Sequence, residues 1–154
     1  GMEGTVERLA EILNTIARKA HAAGLEFLYH NHDFELKPNK DGVVVLDYLL
    51  ENLDAKYVNF QMDLYWVTKA GVDPVDYIKK YPGRFKVWHV KDMDTQERFA
   101  PVGQGTIDFK RILAQKKVSG MEYYIVEQDQ TFDGLQPMDA LKLSKQGLVK
   151  FGFN

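Results

Sequence analysis

The sequence predicts an α/β fold in which four parallel strands form one sheet covered by helices. Two observations predict it. Short apolar runs of strand length alternate with longer segments whose apolar residues recur at helical spacing. The strand-like runs end near His30, Asp63, His89 and Glu127, which lie 33, 26 and 38 residues apart. Those spacings suit βα units joined by right-handed crossovers, and such alternation buries a parallel sheet under helices. No linker, low-complexity tract or shift in composition interrupts the chain, so a single domain is expected over residues 1–154.

Each element has its own signal. Residues 5–23 read as an amphipathic helix, with Val6, Leu9, Ile12, Leu13, Ile16 and Ala20 at helical spacing and Gly24 as its stop. Leu25 to His30 follow as the first strand. Asp41-Gly42 is a turn signal, and residues 43–53 return to helical spacing through Val44, Leu46, Tyr48, Leu49 and Leu50. Residues 57–63 form the second strand. A helix starts near Asp73-Pro74, where Asp can cap and Pro suits the first turn, and Pro82-Gly83 ends it. Residues 85–91 form the third strand, residues 107–116 a helix, and Gly120 punctuates. Residues 122–127 form the fourth strand, and a helix over about residues 135–150 closes the chain.

Composition removes several function classes. Hydrophobic residues at 45% and charged residues at 27% exclude a disordered chain. A net charge of -2 gives no broad electrostatic grip on nucleic acid or an anionic membrane. There is no cysteine, so any metal is held by His, Asp, Glu or water. No apolar run approaches the roughly 20 residues needed to span a bilayer, and none reads as a signal peptide, so a cytoplasmic location is expected. The opening Gly1-Met2 reads as a tag remnant ahead of a start or chosen first residue.

The strand ends carry the chemistry. In a parallel α/β sheet they share one edge, where active sites sit. Singly, each polar residue there is a helix cap or a loop hydrogen-bonder. Together, the two imidazoles and two carboxylates of His30, Asp63, His89 and Glu127 suit Mn²⁺, Zn²⁺, Co²⁺ or Fe²⁺. His32 shares a face with His30 if the strand continues, as a rival ligand, a substrate contact or a plain loop residue. Lys91, two beyond His89, either holds a substrate oxygen or phosphate or is solvated. Tyr65 and Trp66 offer a wall for stacking a sugar, with at least one packing the core. Asp92, Asp94 and Asp129 read as loop caps, and His21 as a surface or helix-end residue. Gly103-Gln104-Gly105 lacks the Lys-Ser/Thr pair of a nucleotide P-loop and reads as a turn into a helix capped by Thr106 or Asp108. No hydrolase triad is evident.

At these residues the sequence resembles the xylose isomerase-like TIM-barrel superfamily of sugar phosphate isomerases and epimerases. The resemblance runs through Tyr29 to Glu35, Gln61 to Trp66, His89 to Asp92, Val102 to Phe109 and Val126 to Asp129, in order along nearly the whole chain. It implies one divalent metal (Mn, Zn, Co or Mg) held by a Glu, an Asp, a His and a second Glu. The last three fall at Asp63, His89 and Glu127; the first falls at His30, a departure. It implies that the metal polarises a sugar carbonyl and hydroxyl while paired acidic groups move protons. Glu127 is the surviving acid/base candidate, with Lys91 beside it and His32, Trp66 and Lys91 facing substrate.

The resemblance also implies half of a (β/α)₈ TIM barrel. Its matched stretches are the last four strands, whereas a full barrel takes about 250 residues. The expectation is a truncated chain, the C-terminal half of a longer parent, with the first half absent. Its sheet would have two unpaired edges and an apolar inner face bearing Leu28, Phe60, Val87 or Ile125, or their alternating neighbours. A homodimer through that open half-barrel is expected. The leading function is a metal-dependent sugar isomerase or epimerase, inactive if the missing half is essential. Its parent abstracts a proton next to a carbonyl of a ketose, aldose or related polyol, with the enediolate stabilised by the metal. A dehydratase is a close variant. A metal-dependent apurinic-site endonuclease would want a basic surface and more than four histidines. The third alternative is a non-catalytic half-barrel assembly module.

Overall fold

The computed structural model describes residues 2–153, with side chains from Val6 onward. The chain runs α1 (Met2–Ala22), β1 (Phe27–His30), a 3-10 turn (Phe34–Leu36), α2 (Val45–Asn52), β2 (Val58–Asp63), α3 (Leu64–Lys69) and α4 (Pro74–Lys80). It continues through β3 (Phe85–Val90), β4 (Asp92–Met93), β5 (Phe99–Ala100), α5 (Phe109–Leu113), α6 (Lys116–Ser119), β6 (Tyr123–Val126) and α7 (Pro137–Phe151). Four strands form one sheet in the order β1-β2-β3-β6, and every neighbouring pair is parallel. The α/β architecture read from the sequence is therefore present. Among the described residues, no helix is long and apolar enough to cross a membrane.

The helices cover one face of the sheet. Val58, Phe60, Met62, Phe85, Trp88 and Val90 are buried there with Leu46, Leu49, Ile78, Phe109 and Ile112 from the helices. Trp88 satisfies its indole N–H by donating to Ser119 Oγ at 2.9 Å, and that hydroxyl donates to the Phe85 carbonyl at 2.7 Å. α6 is thereby pinned to β3. Asp73 caps α4 as expected, its carboxylate accepting from the Val75 N–H at 2.9 Å, with Pro74 in the first turn. Of the two caps considered for α5, Asp108 takes the role, accepting from the Arg111 N–H at 3.0 Å.

The opposite face needs a correction. Register pairs His30 with Gln61, Asp63 with His89, and His89 with Ile125, so alternation puts Leu28, Asn59, Gln61, Val87, Tyr123 and Ile125 on the side away from the helices. Leu28, Val87 and Ile125 are among the residues expected there, but for β2 the alternating neighbours face that side: Phe60 is 1% exposed and packs beneath the helices against Phe85 and Tyr29. Polar Asn59 and Gln61 flank its position instead, so the open face is less apolar than expected.

Three further differences have local chemical causes. Leu64 to Lys69, to which the sequence assigns no element, form α3, because Asp63 caps them and buried Leu64, Tyr65 and Val67 anchor them. The expected single helix over 107–116 is two short ones, α5 and α6, separated at Ala114 and Gln115. The stretch after Lys91 holds an antiparallel hairpin, β4 with β5, closed by Asp94, which accepts from the backbone of Gln96 and Arg98.

Candidate functional site

The carboxyl ends of the four strands bring together the residues that the sequence marked. His30 and Asp63 are the last residues of β1 and β2, His89 is the penultimate residue of β3, and Glu127 follows β6. One ligand atom from each lies within 4.8 Å of all the others. His30 Nε2 is 3.1 Å from Asp63 Oδ2. His89 Nδ1 is 3.7 Å from that same oxygen and 3.0 Å from Glu127 Oε2.

Asp63 is fixed from its backbone outward. Its N–H donates to the buried Asn31 side chain at 3.0 Å, which ties the tops of β1 and β2 together. Its Oδ1 caps α3 by accepting from the Trp66 N–H at 3.1 Å. Only Oδ2 is left for the cluster. Burial would raise this carboxyl, but His30, His89 and the Lys91 charge outweigh it and hold the group well below the ordinary carboxylate range.

Lys91 lies at the centre. It is 1% exposed, and its Nζ is 2.6 Å from Glu127 Oε2, 2.6 Å from Asp129 Oδ2 and 3.1 Å from Asp63 Oδ2. The solvated alternative is thus excluded. Burial pulls the ammonium down, but the three carboxylates more than compensate and raise it. Burial likewise raises Glu127, and Lys91 and His89 reverse that and lower it. His89 is lowered by burial and raised further by Asp63 and Glu127, with a net upward shift.

An aromatic wall stands beside the cluster. The His32 ring stacks on Phe34 at 5.8 Å between centroids and lies 5.7 Å from Trp66, which meets Phe99 at 5.6 Å. His32 is outside the four-donor group and 5.0 Å from the His30 ring. Tyr65 is the core-packing member of its pair, buried, with its hydroxyl donating to the Glu97 carbonyl at 2.7 Å. Buried Glu35 holds the wall's loop by accepting from the His32 N–H and the Tyr29 hydroxyl, both at 2.9 Å.

The loop aspartates divide. Asp92 is a backbone organiser that accepts from the N–H groups of Met93, Gly103, Gly105 and Ile107. Asp94 caps its hairpin turn and pairs with Arg98 at 2.8 Å. Asp129, read as a loop cap, instead sends its carboxylate to Lys91 and joins the cluster. Its only sequence signal was proximity to Glu127. His21 lies outside the site, edge-on to Tyr57.

The donor set fits a divalent cation. Ligands at about 2.0–2.3 Å from one ion lie up to roughly 4.6 Å apart, so the observed spread needs only small side-chain adjustments. Charge agrees: the three carboxylates exceed the single ammonium by two.

The sequence model of the xylose isomerase-like TIM barrel matches residues 2–144. The chain is similar to an inosose dehydratase of Lacticaseibacillus casei, 28% identical over 159 residues, covering 90% of this chain and 52% of that protein. It is similar to a crystal structure of a sugar phosphate isomerase/epimerase from Parabacteroides distasonis, with a TM-score of 0.86 at 28% identity, covering 98% of this chain and 54% of that one. A crystal structure of an IolI protein with a bound zinc atom shares the fold, with a TM-score of 0.68 at 16% identity over 92% of this chain and 54% of that one. The chain therefore spans about half the length of the curated relatives it matches.

Proposed function

The chain belongs to the xylose isomerase-like TIM-barrel family, and we propose that it carries the metal-binding half of a sugar isomerase, epimerase or dehydratase that removes a proton next to a carbonyl. The observation that carries this reading is the convergence of His30, Asp63, His89 and Glu127 at four strand ends, with two negative charges in surplus beside them. A divalent ion held by those four residues supplies Lewis-acid polarisation of a carbonyl and an adjacent hydroxyl.

The remaining work falls to the chain's own residues. Glu127 is the base: its contacts to Lys91 and His89 both use Oε2, and we assign proton transfer to Oε1. Those two neighbours keep its carboxyl ionised at neutral pH, as a base requires. Trp66 and His32 present ring surface to the C–H face of a sugar. The Lys91 ammonium offsets negative charge that develops on substrate oxygen. Epimerisation and dehydration share this first proton removal and differ in the second step: reprotonation from the other face, or loss of a hydroxyl as water.

The test is hydrogen exchange into substrate. Chelator-stripped protein is reloaded with Mn²⁺, Zn²⁺, Co²⁺ or Mg²⁺ and incubated in D₂O with inosose, D-tagatose or L-ribulose. Metal-dependent deuteration next to the carbonyl is expected, with loss of the exchange in Glu127→Gln. Failure of the stripped and reloaded protein to retain any of these ions at one equivalent overturns the reading.

A further inference from the structure

We propose that Lys91 is a built-in occupant of the cation site, which a divalent ion displaces, and that Asp129 is the positioning residue that receives it. The inference rests on the metal reading above.

Lys91 Nζ uses Asp63 Oδ2 and Glu127 Oε2, the two oxygens that also face His30 and His89. Without a cation, three carboxylates would crowd this partly buried space, and their repulsion would oppose the fold. Lys91 supplies the missing charge. An ion bound at about 2.0–2.3 Å from both oxygens has to take them from the ammonium, because two cations so close repel strongly.

The displaced lysine has somewhere to go. Asp129 Oδ2 is 2.6 Å from Nζ and does not belong to the four-donor group. The faces of Phe99 and Trp66 lie 5.3 and 5.8 Å from the same nitrogen and offer it cation–π contact. A short withdrawal to that side keeps Lys91 paired and keeps it in the site. The two-charge surplus is then cancelled by the ion. The arrangement also discriminates by valence. With Lys91 retained, a monovalent ion cancels only half of the surplus, whereas a divalent ion cancels all of it.

Three measurements on the full chain test this, with Zn²⁺ as the probe. In protein with ¹⁵N-labelled lysine, the Lys91 ammonium signal is assigned by its absence from Lys91→Met. It should shift on zinc addition, saturating with zinc binding measured by calorimetry, and should not respond to Na⁺ or K⁺. By calorimetry, Lys91→Met should bind zinc roughly tenfold or more tightly, and Asp129→Asn roughly tenfold more weakly. In the Lys91→Met background, the Asp129→Asn effect should shrink to about threefold or less, as a residue acting through Lys91 requires. Zinc binding at one equivalent with an unmoved Lys91 signal overturns the displacement and leaves the metal site standing. Unchanged or weaker binding in folded Lys91→Met does the same. Additive effects in the double variant overturn the role of Asp129. Failure of the unmodified chain to bind zinc overturns both this inference and the reading it rests on. The ammonium signal can also be assigned in the unmodified chain by its nuclear Overhauser contacts to the Phe99 and Trp66 rings, so the test stands even if the variants do not fold.

Discussion

Asp63 divides its two carboxylate oxygens between two tasks, and substitution can separate them. Oδ1 caps α3 and Oδ2 faces His30, His89 and Lys91. Asp63→Asn retains an oxygen for the cap but loses the charge; Asp63→Ala loses both. Both variants should lose bound metal by tenfold or more in elemental analysis. Only the alanine variant should also lose the cap, which costs about 0.5–2 kcal/mol in denaturant melts. Asp94→Ala should leave metal content unchanged, because Asp94 serves only its hairpin turn and Arg98. The same cluster sets the response to pH. In the metal-free protein, the raised His89 stabilises the fold fully below about pH 6.5, its unfolded value, and that contribution fades as pH rises through its folded value. The lowered Asp63 contributes above about pH 3.9, its unfolded value, and the contribution is lost as pH falls through its folded value. Metal affinity runs the other way from His89, because an imidazole binds only when neutral. Zinc titrations should therefore weaken as pH drops through the raised folded value of His89, and affinity flat from pH 8 to pH 5 would exclude histidine ligands.

At the scale of elements, α7 is held to the Val102-Gly103 loop by residues chosen for smallness. Ser144 accepts from the Val102 N–H at 3.1 Å, and a Cβ on Gly147 would come within 1.8 Å of the Val102 carbonyl oxygen. Because that neighbour is backbone, it cannot rotate away. Gly147→Ala should cost about 3 kcal/mol in chemical melts, while Lys145→Ala, on the exposed face of α7, should change stability by less than about 0.5 kcal/mol. These elements also show what the chain discloses without its fold. β1 and β6 were legible as short apolar runs, and β2 and β3 as apolar residues interleaved with single polar ones, each bounded by turn residues. His30, Asp63, His89 and Glu127 were legible because strand ends in a parallel sheet share an edge by construction. α3 was not, since six residues directly after a strand have no room to display helical periodicity. Asp129 was not either: its partner Lys91 lies 38 residues away, and only the pairing of β3 with β6 brings the two together.

Taken whole, and among the described residues, the molecule has a sheet whose outer strands, β1 and β6, each lack a neighbour on one side. Tyr123 and Ile125, on the face away from the helices, are 65% and 49% exposed. Burial is worth roughly 25 cal/mol per Å², so self-association through this face is the predicted outcome, although Asn59 and Gln61 reduce the apolar area on offer. Light scattering at micromolar concentration should give a mass above the 17.7 kDa of one chain. A soluble, cooperatively melting species at that mass would refute self-association. The placement of the four donors has a mechanical consequence as well. They come from the ends of all four strands but from one rim of the sheet only, so an ion held there would act as a clasp across that rim. At a free concentration 100 times its dissociation constant it adds about 2.7 kcal/mol to global stability. At the opposite rim, Glu26, Lys86 and Glu122 form only exposed pairs at 3.2 and 3.6 Å, which bind weakly. A zinc-loaded sheet should therefore open like a fan, spreading first where it is unclasped. Amide hydrogen exchange should slow most on zinc addition near His30, Asp63, His89 and Val126, and least near Phe27, Val58, Phe85 and Tyr123.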